Sequence, residues 1–435
     1  MDRKINFITF WLGQAVSQLG SSMTSFALTI WVFEKTHAAM TVSLMSFCTW
    51  VPYILVSIFA GGIVDRYSKK AILVMTDSAA ALCTVSILIS FYRGEPDIMQ
   101  IYLVNGIVGF MNGFQSPAAS VVTGLLVPDR QYVKASGINS FSSNLVMVAA
   151  PMLSGMLMAF AGLKMILLMD LLSFLFAVSS LFFIEIKEPL EHGEKVRKNH
   201  LSDLREGFGF LKKEKGILYI MVSMAAINFF SRLTYENILS PMILTRSGGD
   251  FSVYGIVSGV LGIGGIAGGI LVTAGKGWRD PKKLIYFSAG FSFLFGDLMM
   301  GAGRNLWVWS LAGLAASVPI PFIIAGQSVI LYRLVPQELQ GTVFAIRNGV
   351  QNFTIPIGIL LGGYLADFVF EPFMASGQQA VVFLEKIVGT GAGSGMGVMF
   401  LCTGFLGAFS SFLGYRNPYV RGLGADIGAD INERL

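Results

Sequence analysis

The chain has 435 residues, of which 54% are hydrophobic and only 13% charged, with 50 glycines and a formal net charge of +5. A water-soluble protein of this length needs far more charge to cover its surface, so this balance excludes a soluble globular protein and points to lipid as the solvent. The three cysteines, Cys48, Cys83 and Cys402, sit singly in apolar runs, and His37, His192 and His200 lie apart in polar stretches. That distribution suggests no disulfide framework and no metal site.

A helix needs about 20 apolar residues to cross the hydrocarbon core. Such runs occur at 7–33, 41–63, 71–92, 98–126, 137–160 and 165–186, and again at 217–244, 253–274, 284–303, 306–331, 342–370 and 397–415. The first is too long for a signal-peptide core and lacks a small-residue cleavage site, so it reads as a mature helix. The expected fold is an all-α integral membrane protein with twelve transmembrane helices in two six-helix repeats. Residues 1–186 would form the first bundle, 187–216 a linker, 217–415 the second bundle and 416–435 a tail.

Positive residues orient the spans. The loops holding Arg66, Lys69 and Lys70, then Arg130 and Lys134, then Lys276, Arg279, Lys282 and Lys283, alternate with loops that carry few cations, such as Lys35, Arg93 and Arg304. The basic stretch 187–215 falls on the same side as the first set. Positive residues stay inside, so the linker and both termini are expected in the cytoplasm of a cell-membrane protein. The excess positive charge is explained by this asymmetry and implies no nucleic-acid partner.

Within the linker, residues 201–211 form an amphipathic run suited to the membrane face. The outward loop 367–395 is long. It contains an amphipathic piece over 379–388 and then Gly389-Thr390-Gly391-Ala392-Gly393-Ser394-Gly395. That glycine run fits neither a P-loop nor a dinucleotide fingerprint and has no preceding strand, so it reads as a flexible connection, and no cofactor is expected. An internal repeat near 210 residues relates Pro117, Pro128, Asn139 and Pro151 to Pro321, Pro336, Asn348 and Pro356. Two halves with a ligand site between them near the midplane are the architecture that such a repeat implies.

Gly61-Gly62-Ile63-Val64-Asp65-Arg66-Tyr67-Ser68-Lys69-Lys70 lies between the second and third predicted helices. It resembles the loop G-x-x-x-D-R-x-G-R/K-R/K of the major facilitator superfamily, departing only at Ser68, where Gly is usual. The resemblance implies a cytoplasmic latch in which Asp65, with Arg66, Lys69 and Lys70, docks on the eleventh helix. A helix N-terminus there attracts an anion, and Arg347 lies one turn further on. Ala150-Pro151-Met152-Leu153-Ser154-Gly155 is similar to a degraded G-P-x-x-G-G, the antiporter motif of that superfamily. In it Pro151 would kink the helix and Gly155 would permit close packing. Residues 10–17 (FWLGQAVS), Glu34-Lys35-Thr36 and Leu125-Leu126-Val127-Pro128 further resemble macrolide-efflux-type exporters. This likeness implies export of drugs or natural products, driven by protons. Many proton-coupled relatives carry an Arg in the fourth helix. Here no Lys or Arg occurs between Arg93 and Arg130, and Asn105 and Asn112 are the polar residues instead, so proton coupling rests on the resemblance.

Polar side chains avoid lipid and should face protein or a wet cavity. Gln14, Ser17, Gln18, Ser21, Ser22 and Ser25 make one stripe on the first helix, and Asn228, Ser231, Arg232, Tyr235 and Glu236 make another on the seventh. The expected cavity comprises Gln14, Ser17, Gln18, Asn105, Asn112, Phe114, Asn228, Phe229 and Tyr235. Glu236, paired with Arg232 at i,i+4, is the expected coupling carboxylate. Asp77, Asp170 and Asp297 fall on the third, sixth and ninth helices, which are peripheral in the family, and read as structural. Asn139, Ser140, Ser143 and Asn144 mirror Arg347, Asn348, Gln351 and Asn352 as a possible inner gate. The expected partners are a small-molecule substrate, protons and membrane lipids, with the protein a monomer. Rival readings are a siderophore or peptide natural-product exporter, a lipid flippase and an importer by symport. No nucleophile–base pair or cofactor loop suggests an enzyme.

Overall fold

Apolar segments in lipid must close their backbone hydrogen bonds internally. In the computed structural model, which describes residues 3–127, 132–184, 200–275 and 280–423, they do so as helices, with no strand among the described residues. The first five helices are α1 (Arg3–Thr36), α2 (Ala39–Arg66), α3 (Lys69–Arg93), α4 (Ile98–Leu126) and α5 (Tyr132–Phe183). α5 is two helices in one, broken at Gly162, whose φ of 71° is open to glycine. There follow α6 (His200–Lys213), α7 (Lys215–Thr234), α8 (Leu239–Arg246), α9 (Phe251–Ala274), α10 (Pro281–Phe291), α11 (Leu298–Ala302), α12 (Leu306–Ser317) and α13 (Ile320–Leu334). The last are α14 (Gln337–Leu365), α15 (Glu371–Ala375), α16 (Gln379–Val388) and α17 (Ser394–Arg416). Among the described residues nine stretches are long and apolar enough to cross a membrane. α1 and α4 have the length but not the apolarity, because they carry polar stripes.

The chain divides into two compact units, Met1–Glu191 with Ile243–Gly262, and His192–Met242 with Ile263–Leu435. In the first, α1 lies along α5, α2 packs on α4, and α3 packs on both α4 and α5. Small residues permit these approaches: a methyl on Gly113 would stand 2.6 Å from Val56 Cγ1. The Ser154 hydroxyl on α5 donates to the Met23 carbonyl on α1 at 2.9 Å. In the second unit α7 packs on α14, while α10 packs on α13 and α17. There Asn237 Nδ2 donates to the Ile359 carbonyl at 2.8 Å. The α1–α5, α3–α4 and α3–α5 pairings thus recur as α7–α14, α10–α13 and α10–α17, the repeat expected from the sequence.

Two features depart from a bare helix count. The linker helix α6 docks on α14 through Gly207, where a Cβ would lie 2.6 Å from Thr342 Cγ2. The glycine run after α16 is an ordered turn rather than a slack connection. Gly389, Gly391 and Gly393 take φ of 91°, 91° and 85°, and the Glu371 carboxylate accepts from the Gly393 and Met396 N–H groups at 3.2 and 3.0 Å. A carboxylate at the start of α17 satisfies otherwise orphaned donors.

The segment Ile243–Gly262 packs within the first unit, and Pro151 and Gly155 lie at that contact. A Cβ on Gly155 would be 2.7 Å from the Phe251 carbonyl oxygen, and one on Gly255 would be 2.7 Å from that of Pro151. The Phe26 and Tyr254 rings stack beside them with centroids 4.5 Å apart. Overpacking at backbone contacts of this kind costs about 1–3 kcal/mol. Gly155→Ala and Gly255→Ala should therefore each lower the thermal midpoint of the purified protein. Gly265→Ala, where a Cβ meets open space, should not.

Candidate functional site

A cavity of about 590 Å³ opens within the first unit, lined from α1, α2, α3, α4 and α5. Its volume falls in the range of drug-sized ligand sites. Gln14, Ser17, Gln18, Asn105 and Asn112 all line it, as do Ser21, Ser22 and Ser25 of the α1 stripe. Asn105 is buried and occupied: its Nδ2 donates to the Ile101 carbonyl at 2.8 Å, and its Oδ1 accepts from Thr49 Oγ1 at 3.1 Å. Asn112 is exposed. Phe114 is not part of this wall. It packs on the apolar cluster around Leu73, Val122 and Leu181, edge-on to Phe110 at 5.5 Å.

Sequence reasoning set aside two residues that the structure brings to this wall. Asp77 and Asp170 both line the cavity at 5% and 6% exposure. Asp77 Oδ1 accepts from Gln115 Nε2 at 2.5 Å and Oδ2 from Gln14 Nε2 at 3.4 Å. Asp170 accepts from Thr84 Oγ1 at 2.8 Å and from Ser21 Oγ at 3.1 Å. The signal was present on α3, where Asp77, Ala80, Ala81 and Thr84 follow the i, i+3, i+4, i+7 spacing of one helix face and all line the cavity.

The other expected residues belong to the second unit. Arg232 and Glu236 form the i,i+4 ion pair, their side chains 31% and 25% exposed. Asn228 and Phe229 are half-buried on α7. The Tyr235 ring stands edge-on to Phe400 at 5.2 Å. Asp297 closes a π-helical turn, Ser292–Asp297, and accepts from Thr403 Oγ1 at 2.8 Å. On α14, Arg347 lies over the Phe344 ring and donates to Asn348 Oδ1 at 2.9 and 3.1 Å. Gln351 donates to Gln327 Oε1 at 3.3 Å, while Asn139 and Ser143 of the first unit line its cavity.

The basic loop motif spans the end of α2 and the start of α3. The Asp65 side chain lies outside the described ones, and Arg66 is exposed. Lys70 Nζ donates to the Ile184 carbonyl at 3.0 Å, just past the end of α5, where a cation meets the negative end of the helix dipole. Ser68 accepts from the Ala71 N–H at 3.4 Å as the N-cap of α3. Serine is a favoured cap, which accounts for its presence where the pattern has Gly. Among the described residues no three His, Cys, Asp or Glu side chains converge as a metal site.

The model of the Major Facilitator Superfamily matches residues 10–359. Macrolide efflux protein A of Streptococcus pyogenes is 26% identical over 369 residues, 84% of this chain and 90% of that one. The Staphyloferrin A transporter of Staphylococcus aureus is 22% identical over 297 residues, 68% of this chain and 71% of that one. A solved D-xylose-proton symporter aligns with a TM-score of 0.69 at 12% identity, covering 96% of this chain and 99% of that one. At such identity the likeness is one of fold. The relatives and the fold are those of multi-pass membrane transporters for small molecules, not of an enzyme family. The family match runs through the loop motif, the Pro151–Gly155 contact and the cavity wall alike, and the chain belongs to the major facilitator superfamily.

Proposed function

We propose that the protein is a secondary active exporter of amphipathic small molecules, drug- or macrolide-like, working by proton antiport and alternating access. The observation that carries this reading is the cavity of the first unit, where the aromatic rings of Phe10, Trp11, Tyr53 and Phe174 share one wall with many amides and hydroxyls, so that a ligand there meets both apolar surface and hydrogen-bonding groups. Likeness to macrolide efflux proteins supports it. In this reading the chain crosses the membrane twelve times as two rocking halves, 1–186 and 217–415, joined by a cytoplasmic linker, 187–216. Asp65 latches the cytoplasmic side against the eleventh span near Arg347. The coupling carboxylate is Glu236, whose partner Arg232 lies one turn away. Export of a siderophore is a second reading, favoured by likeness to the Staphyloferrin A transporter.

Inverted membrane vesicles should accumulate a radiolabelled macrolide when a proton gradient is imposed, and a neutral ionophore mixture that collapses the gradient should abolish accumulation. Uptake by right-side-out vesicles instead would sink the exporter reading. In a chain freed of Cys48, Cys83 and Cys402, Gln378→Cys should react with an impermeant thiol reagent from outside, and Lys212→Cys only after permeabilisation. The reverse pattern overturns the orientation. Glu236→Gln should abolish gradient-driven export while retaining ligand binding. A purely structural ion pair predicts a different result: both Glu236→Gln and Arg232→Gln lose stability, and the double variant regains part of it.

A further inference from the structure

Among the described residues, the first unit's cavity is lined by two carboxylates and no positive side chain. Asp77 and Asp170 line it without any Lys, Arg, His or Glu, and neither forms an ion pair among the described residues. A charge at membrane depth costs about 2.5–3.5 kcal/mol on insertion scales. Hydrogen-bond donors offset part of that cost, and the two carboxylates differ in how fully they are supplied. Both Asp170 oxygens are engaged at short range, by Thr84 at 2.8 Å and Ser21 at 3.1 Å. Asp77 is held on one side only. Its Oδ1 is gripped by Gln115 at 2.5 Å, but its Oδ2 meets the Gln14 amide at 3.4 Å, beyond the usual N–H···O range.

The wall of the same cavity suits one class of ligand. Trp11 and Tyr53 line the same cavity, and aromatic faces attract cations through the ring quadrupole. Trp11 Nε1 is buried on this wall with no hydrogen-bond partner. The indole N–H can only donate, so what satisfies it carries an acceptor. An anion would be repelled by both carboxylates in a low-dielectric setting.

We propose that Asp77 recognises an organic monocation bearing a hydrogen-bond acceptor, its positive centre displacing Gln14 from Oδ2. This deepens the exporter reading above and rests on it only for the direction of transport. The cation offsets one of the two negative charges on the cavity wall, and Gln115 keeps the carboxylate in position as Gln14 moves aside.

The test uses the full chain in nanodiscs and two probes of similar bulk, the permanent cation (methoxymethyl)triphenylphosphonium, whose ether oxygen is an acceptor, and the neutral acceptor triphenylphosphine oxide. Wild type should bind the cation more tightly than the oxide. Asp77→Asn should weaken cation binding about tenfold or more with little change for the oxide, and Asp77→Glu should recover part of it. Gln14→Ala, which frees Oδ2, should tighten the cation. Asp170→Asn should cost less than Asp77→Asn. Equal cation affinity in wild type and Asp77→Asn, or a larger loss from Asp170→Asn, overturns the assignment. Should Asp77→Asn elute as aggregate, Gln14→Ala decides: a tighter cation supports the site, and an unchanged or weaker one overturns it. Inverted vesicles separate this from the exporter reading. Cation bound through Asp77 but never accumulated leaves the site standing and the export reading fallen. Accumulation undiminished by Asp77→Asn does the opposite.

Discussion

A side chain that needs hydrogen bonds cannot face hydrocarbon, and this constraint sets the rotation of every helix in the molecule. α1 and α4 feel it most. The residues that keep them out of the set of plainly apolar spans, among them Gln14, Ser17, Gln18, Asn105 and Asn112, are the residues that line the first unit's cavity. The same substitution of polar for apolar that weakens a helix as a membrane span gives it a direction within the bundle. Their outer faces carry Leu12, Val16, Leu103 and Phe110, all exposed, as a lipid-facing surface requires.

With no hydrophobic driving force between helices in lipid, packing has to come from close approach and interhelical hydrogen bonds. The structure spends its glycines there. Gly113 lets α4 meet α2, Gly155 and Gly255 bring the α5 and α9 backbones together, and at Gly358 of α14 an added Cβ would stand 3.0 Å from Arg232 Cβ. Ser154 and Asn237 add one side-chain bond to a backbone carbonyl at each unit's pairing of α1 with α5 and α7 with α14. The motif resembling an antiporter signature thus has a local physical meaning in this chain, since Pro151 supplies the carbonyl and Gly155 the absent side chain at one contact.

Much of this was legible in the sequence because each helix announces itself locally. The apolar runs, the amphipathic piece over 379–388, which is α16, and the i,i+4 pair of Arg232 with Glu236 all need information from one segment only. What escaped needs several segments at once. Asp77 and Asp170 look like isolated charges along the chain. They become cavity residues when α1, α3 and α5 bring Gln14, Ser21 and Thr84 to them. Phe114 misled for the converse reason: its neighbour Gln115 takes the cavity face, and one position along a helix turns a side chain by about a quarter of a turn or more. The glycine run after α16 looked slack because its order comes from Glu371, eighteen residues before Gly389 in the chain.

The two units answer the problem of charge in a membrane in different ways, and the difference bears on what each can do. In the second, Glu236 has its counter-charge one turn away on the same helix, so the pair moves as a unit and presents little net charge. Asp297 is 1% exposed, with the Thr403 hydroxyl on it, and faces protein rather than a ligand space. In the first, the donors to Asp77 and Asp170 among the described residues are amides and hydroxyls from other helices: Gln14 and Ser21 from α1, Thr84 from α3, Gln115 from α4. Such donors stabilise a carboxylate without neutralising it. They also tie its position to the spacing of the helices, so that any movement of α1 against α3 or α5 alters the field at Asp77 and Asp170 together. Among the described residues no cation accompanies these carboxylates, so the electrostatics of the cavity wall follow the positions of the helices that carry their donors.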